Sequence, residues 1–337
     1  MKTQIINFMN DIEIFNSRKR KPIVSYFNIQ PYFIAGFVAY RGYGKTYASI
    51  KLTLEMIKEG ALKSQDIYII SPTYETDTIF KNLGELDQNN ILTDLDKVNE
   101  FMTKVKKEIE FKLKVLEKTR EKYTEQEYNK WYENIINKIN QEDEDEESEK
   151  DYNLSDVEYL HLKLNGLEPK PYFYNYIPHY LIFVDDSFNT KIYEDSKKNV
   201  FKNFVIKHRH YMTSIIMNVQ SFTGGIPKQL RKNVSHWFIW KQSTYEIKEI
   251  YKEVLSDTID NEEEFIRIFK QITDENKHNF LLIDKEPRDE KLKLRKNFNE
   301  IILLNPNNYN NEENQNIREM QRYKEMQRNK RRNYKRN

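Results

Sequence analysis

The chain has 337 residues, 38% of them hydrophobic and 32% charged, with no cysteine and a formal net charge of +2. That suffices for one large domain or two with a lean core, and it excludes disulfides and thiolate metal sites. No apolar run is long enough to span a bilayer, the first residues lack a signal-peptide pattern, and a reducing, intracellular setting is compatible. The charge is uneven. Residues 318–337 hold nine Lys/Arg and two Glu, a net +7, so the remainder carries −5.

Residues 1–30 read as an N-terminal extension with a basic cluster, Arg18 to Lys21. Tyr32 to Ala39 (YFIAGFVA) is apolar, β-branched and aromatic, which predicts a buried strand. Tyr47 to Lys58 places apolar residues at 47, 50, 54 and 57, which predicts an amphipathic helix. Between them stands AYRGYGKT, one residue short of G-x-x-x-x-G-K-[ST] because Ala39 holds the first position. A strand–loop–helix context suits a phosphate-binding loop: backbone N–H groups converge at the helix N-terminus, where the dipole favours an anion. Gly42 and Gly44 supply φ > 0 and close approach. Lys45 would reach the β- and γ-phosphates and Thr46 would hold Mg²⁺. Gly42, Tyr43, Gly44, Lys45, Thr46 and Tyr47 are thus the candidate nucleotide-binding residues, with ATP and Mg²⁺ the implied cofactors. The plain alternative is a strand–helix turn with a chance Gly-Lys-Thr.

DIYIISPTY (66–74) predicts a second strand. Residues 91–140 are rich in Lys and Glu, nearly free of Gly and Pro, and place Val98, Met102, Val105, Ile109, Leu113 and Leu116 on one helical face. With the acidic run 141–150 they predict an inserted helical arm over about 85–168. Strand patterns return at 179–184, 214–219, 236–240 and 279–283, with helical stretches at 194–209 and 244–255. Apolar strands alternating with helices predict an α/β fold with a mostly parallel central sheet covered on both faces. The ATPase-like unit would span 31–84 and 169–290, and 291–337 would be an Asn-rich linker and a basic tail.

LIFVDDS (181–187) describes a buried strand with two carboxylates at its end. Asp185 would hold the Mg²⁺, directly or through water, and Asp186 would orient the attacking water. The alternative is an Asp-rich turn. In the next strand, Asn218 and Gln220 are polar residues at an apolar tip. Gln220 is favoured to contact the water or γ-phosphate, with a strand-end cap as the other reading. Arg209 and Arg231 are candidates for a guanidinium on the γ-phosphate, in cis or from a neighbouring subunit. Each reads equally well as an ion pair or a DNA-phosphate contact. His208 and His210, without acidic partners at metal spacing, are not read as ligands.

The set AYRGYGKT, IYIISPTY, LIFVDD and KHRHYMTSIIMNVQSFTGGIPKQLRKNVSHWFIWK resembles the DNA-packaging ATPases of large DNA viruses and virophages, the poxvirus-type branch of the FtsK–HerA superfamily. The resemblance covers about 30–75 and 178–285, and the positions that match are Arg209, His210, Gln220, Pro227, Arg231 and Asn233. It implies an ASCE-type (RecA-like) P-loop NTPase. It further implies a homo-oligomeric ring, a pentamer or hexamer, that drives double-stranded DNA into a preformed capsid. Capsid or portal proteins would be partners, with no membrane, in a cytoplasmic virus factory and the virion. Ala39 in place of the first loop glycine, and Asp186 where many relatives have Glu, depart from the pattern. Lys228, Arg231, Lys232 and the basic tail are candidate DNA contacts. Two other readings stay open: another DNA translocase or helicase of the same fold, and a nucleotide-binding scaffold protein.

Overall fold

In the computed structural model, residues 2–5, 27–142, 177–187, 190–194 and 198–303 are described. They form a ten-stranded sheet of strands β1 (Lys2–Ile5), β2 (Ile34–Val38), β3 (Ile67–Ile70), β4 (Ile91–Leu92), β5 (Tyr180–Val184), β6 (Thr213–Val219), β7 (His236–Ile239), β8 (Leu281–Asp284), β9 (Leu294–Lys296) and β10 (Glu300–Leu303). The order is β1-β10-β9-β8-β7-β2-β6-β5-β3-β4. From β7 to β4 all pairings are parallel. From β7 outward through β8, β9, β10 and β1 they are antiparallel.

The parallel half has a simple cause. Its strands are largely apolar and are buried at every position of β2, β3, β5, β6 and β7, as strands covered on both faces must be. One face carries helix α1 (Lys45–Lys58), packed through Ala48, Leu52 and Met56 against Ala35, Phe37, Ile67, Ile69 and Phe183. The other carries α2 (Val98–Lys122), α4 (Val200–Lys207), α5 (Thr244–Ile250) and α6 (Glu262–Glu275). Helix α3 (Glu125–Glu142) follows α2.

The structure differs from the sequence reading in four places. Strand β8 runs antiparallel, not as part of the parallel set. Between β7 and β8 the chain makes two helices that pack together, α5 and α6. One helix returns the chain to the starting edge; a pair brings it back to where β7 ended. The sheet also runs past residue 290, because β9 and β10 occupy part of the expected linker. Third, the block from residue 85 is not all arm. Leu92 of edge strand β4, and Val98, Phe101, Met102, Val105 and Ile109 of α2, belong to the main core. Finally, beyond Lys45 the buried residues of α1 are Ala48, Ser49, Ile50, Leu52, Thr53 and Met56; of the expected face Ile50 is buried, Leu54 and Ile57 pack partly buried against the core, and Tyr47 is 66% exposed. The acidic segment beyond residue 142 and the tail 304–337 lie outside the described residues.

Candidate nucleotide-binding site

The carboxyl ends of the parallel strands share one edge of the sheet, where ligands of open α/β sheets collect. Strand β2 ends there in the loop that leads into α1. Gly42 and Gly44 have φ of 82° and 91°, backbone that side chains with a Cβ rarely adopt. Gly44 is the N-cap of α1, so the helix starts at Lys45 with its first N–H groups facing the edge. Ala39 is fully buried in the core behind the loop and donates its N–H to the Val219 carbonyl at 3.1 Å. A methyl group is accommodated at that position.

Two strands away, β5 ends at Asp185 and Asp186. Thr46 Oγ1 donates to Asp185 Oδ2 at 3.4 Å, and Lys45 Nζ lies 3.4 Å from Asp186 Oδ1. Residues 141 and 139 positions apart in sequence thus meet at one point. Asp185 is 1% exposed, and its Oδ1 is buried without a hydrogen-bond partner. Its pKa is raised to about 6: burial is the largest cause, the Lys45 ammonium opposes it, Asp186 adds to it, and the Asn218 amide opposes it. Asp186 is 40% exposed and takes φ of 46°, a left-handed conformation that Asp tolerates.

This donor set fits a hard divalent cation. Such ions take oxygen ligands, and Mg²⁺ needs few from the protein because it keeps waters and phosphate oxygens. An orphaned buried carboxylate oxygen beside a threonine hydroxyl is a suitable pair. Among the described residues no group of three or more His, Asp or Glu forms a separate metal cage. No helix among them is long and apolar enough to cross a membrane.

Strand β6 lies between the loop strand and the acidic strand. Its Asn218 is fully buried and donates to Ser49 Oγ at 2.9 Å, while Ser49 donates to the Thr46 carbonyl at 3.0 Å. This chain joins β6 to the first turn of α1 directly behind the loop. Gln220 is exposed at the strand's end on the same edge. The two arginines are elsewhere. Arg209 precedes β6, so the seven residues of that strand separate it from the loop edge, a span on the order of 20 Å. There it pairs with Glu286, both about half exposed. Arg231 is buried: Nε and Nη2 bond Glu253 at 2.9 and 2.8 Å, Nη1 bonds the carbonyls of Phe222, Thr223 and Ile226, and the guanidinium covers the Phe222 ring at 4.8 Å.

Three participants escaped the sequence reading. Ser49 looks like an ordinary helix residue. Glu246 accepts bonds from the Phe222 and Thr223 N–H groups and from Ser221 and Thr223 hydroxyls, which fixes the turn after β6. His278 lies against the loop, its Nδ1 3.3 Å from the Tyr43 carbonyl. Asn218, to which Ser49 is bonded, did leave a signal, a polar residue inside a largely apolar strand.

No family model and no curated protein matches the chain. Among solved structures it is similar to the genome packaging NTPase B204 from Sulfolobus turreted icosahedral virus 2 in complex with AMPPCP, at 11% identity over 79% of this chain and 96% of that one, TM-score 0.42. It is also similar to B204, the DNA-packaging ATPase from Sulfolobus turreted icosahedral virus, at 12% identity over 79% and 97%, TM-score 0.41. A third is the pCW3 conjugation coupling protein TcpA, at 14% identity over 76% and 58%, TM-score 0.38. With likenesses this distant, the residue roles rest on the chain's own geometry.

Proposed function

We propose that the chain is an ATPase of the P-loop class that drives double-stranded DNA into a viral capsid. The observation that carries the hydrolytic part is the meeting of Lys45 with Asp186 and Thr46 with Asp185 at the carboxyl edge of the sheet. An inserted strand between the loop and the acids supports the ASCE-type reading, because it sets a polar tip beside both.

The residues divide the work. The N–H groups of Gly42 to Thr46 bind the phosphates, with the α1 dipole behind them. Lys45 leaves Asp186 for the β- and γ-phosphates, which exchanges one charge-assisted contact for a stronger one. That frees the Asp186 carboxylate to accept a hydrogen bond from the attacking water and hold it in line. Thr46 and Asp185 would hold Mg²⁺, which neutralises charge on the β- and γ-oxygens. Asn218, through Ser49, fixes the first turn of α1 relative to β6. Gln220, exposed on the same edge, contacts the γ-phosphate or the water.

DNA would be gripped at its phosphates without base reading. Lys228, with its side chain 70% exposed, and exposed Lys232 suit that task. Arg209, far from its own site and at the surface, suits a trans contact in a neighbouring copy of a pentameric or hexameric ring. Capsid or portal proteins, in a cytoplasmic virus factory, complete the reading.

The test is ATP hydrolysis with and without linear double-stranded DNA, alongside Lys45→Ala and Asp186→Asn. DNA-stimulated hydrolysis, lost in both variants, supports the proposal. ATP binding without hydrolysis, alone or with DNA, overturns it in favour of a nucleotide-gated structural protein.

A further inference from the structure

A cavity of about 560 Å³ opens directly beside the phosphate-binding loop, within the size range of small-ligand sites. Tyr43, Gly44, Tyr47 and Lys51 form one wall, and Trp240, Phe298 and Asn299 stand among the residues opposite. Positions 44, 47 and 51 are one turn apart on α1, so the wall is one face of the helix whose N-terminus would hold the phosphates. The strand order gives the cavity a direction. The acids lie at the end of β5, on one side of the loop strand; the cavity lies by β7 and β8, on the other. A triphosphate whose γ end points at Asp186 therefore runs its nucleoside end into the cavity.

The lining chemistry suits a flat aromatic ligand. Phe298 and Trp240 are almost fully buried and make an apolar floor, whereas Tyr47 is 66% exposed. An exposed aromatic ring at the mouth of an apolar cavity is costly in water and is relieved by a stacked partner. Asn299 adds amide donors and acceptors at the rim. We infer that this cavity takes the purine base of the nucleoside triphosphate, with Tyr47 as its stacking face and Asn299 at the base edge. The inference rests on the proposed nucleotide-binding function and adds to it a specificity pocket.

The test compares affinities of the full chain for ATP, CTP and inorganic tripolyphosphate, in the presence of Mg²⁺. Wild type should bind ATP more tightly than CTP, and both more tightly than tripolyphosphate. Tyr47→Ala should weaken ATP binding by about tenfold or more, the usual worth of a base–aromatic stack, and leave tripolyphosphate affinity little changed. Asn299→Trp, which puts a bulky ring into the cavity where a base edge would lie, should lower the ratio of ATP to tripolyphosphate affinity in the same way. Tripolyphosphate binding wild type as tightly as ATP, or ATP affinity indifferent to both variants, overturns the pocket and leaves the phosphate site standing. Failure of wild type to bind either ATP or tripolyphosphate overturns the nucleotide function itself, and the pocket with it.

Discussion

Replacing Arg231 by Met keeps an apolar stem and removes the guanidinium. Two bonds to Glu253 and three to the carbonyls of Phe222, Thr223 and Ile226 are lost together. Breaking a buried ion pair by deleting one partner costs about 3–5 kcal/mol. Two features pull the value toward the lower end: the Glu253 side chain keeps 17% exposure, and Lys228 Nζ stands 3.8 Å away as a partial substitute. The orphaned carbonyls push it up, each by about 1 kcal/mol where water does not reach. We expect a net loss of about 4 kcal/mol, read by urea unfolding followed by tryptophan fluorescence. The double variant Arg231→Met with Glu253→Gln should recover part of it, since the buried charge is then gone. A loss below about 1 kcal/mol, the worth of a surface pair, would refute the reasoning. If stability then held while hydrolysis collapsed, the arginine would belong to catalysis.

Other variants probe the frame around the site. Gly36→Ala would bring a Cβ to 2.5 Å from Trp237 Cζ3 in a strand flanked on both sides, so unfolding should come about 2–3 kcal/mol easier; an unchanged urea midpoint would contradict that packing. Glu246→Ala strips the acceptor from two backbone N–H groups, one of them buried, and should cost about 2–4 kcal/mol; thermal melts that coincide with wild type would count against the clamp. Burial lowers the His179 pKa to about 4, against a weaker upward push from the Ala61 carbonyl. Its neutral ring therefore contributes stability that is full above about pH 6.5 and is lost as pH falls toward 4. The gap corresponds to about 3 kcal/mol, so His179→Gln should flatten the acid limb of stability against pH. Parallel curves for the two proteins would dispose of this account.

The loop and the acids were legible because their signals are local: a glycine pair before a helix, and carboxylates at the tip of an apolar strand. The parallel strands were legible for the same reason, since burial on both faces writes itself as a largely apolar run. What was illegible depends on partners distant in sequence. For Arg231 the sequence leaves a phosphate contact, an ion pair and a DNA contact equally open, and only the fold brings Glu253, 22 positions on, against it and decides for the ion pair. The face of α1 was legible in part: Ile50, Leu54 and Ile57 pack on the core as their spacing implies, but counting apolar positions passes over Ser49 and Thr53, which are buried polar residues. The direction of β8 hung on whether one helix or two precedes it, and the Glu-rich start of α6 masks its apolar face. Strands β9 and β10 are short and sit beside Asn-rich sequence, which has the composition of a linker.

The order of the strands also bears on how the chain is made. Strand β2 emerges early, but its two neighbours are β6 and β7, and Ile34 donates its N–H to a hydroxyl 201 residues downstream. During synthesis the phosphate loop therefore exists for most of that interval on a strand with no flank, exposing Phe37 and Val38. Strand β1 waits longer still, since its partner β10 is at the far end of the described chain. Long-range pairing of this kind folds slowly and leaves edges open to other chains. A fragment ending before Thr213 would carry the loop on a strand with neither of its two neighbours.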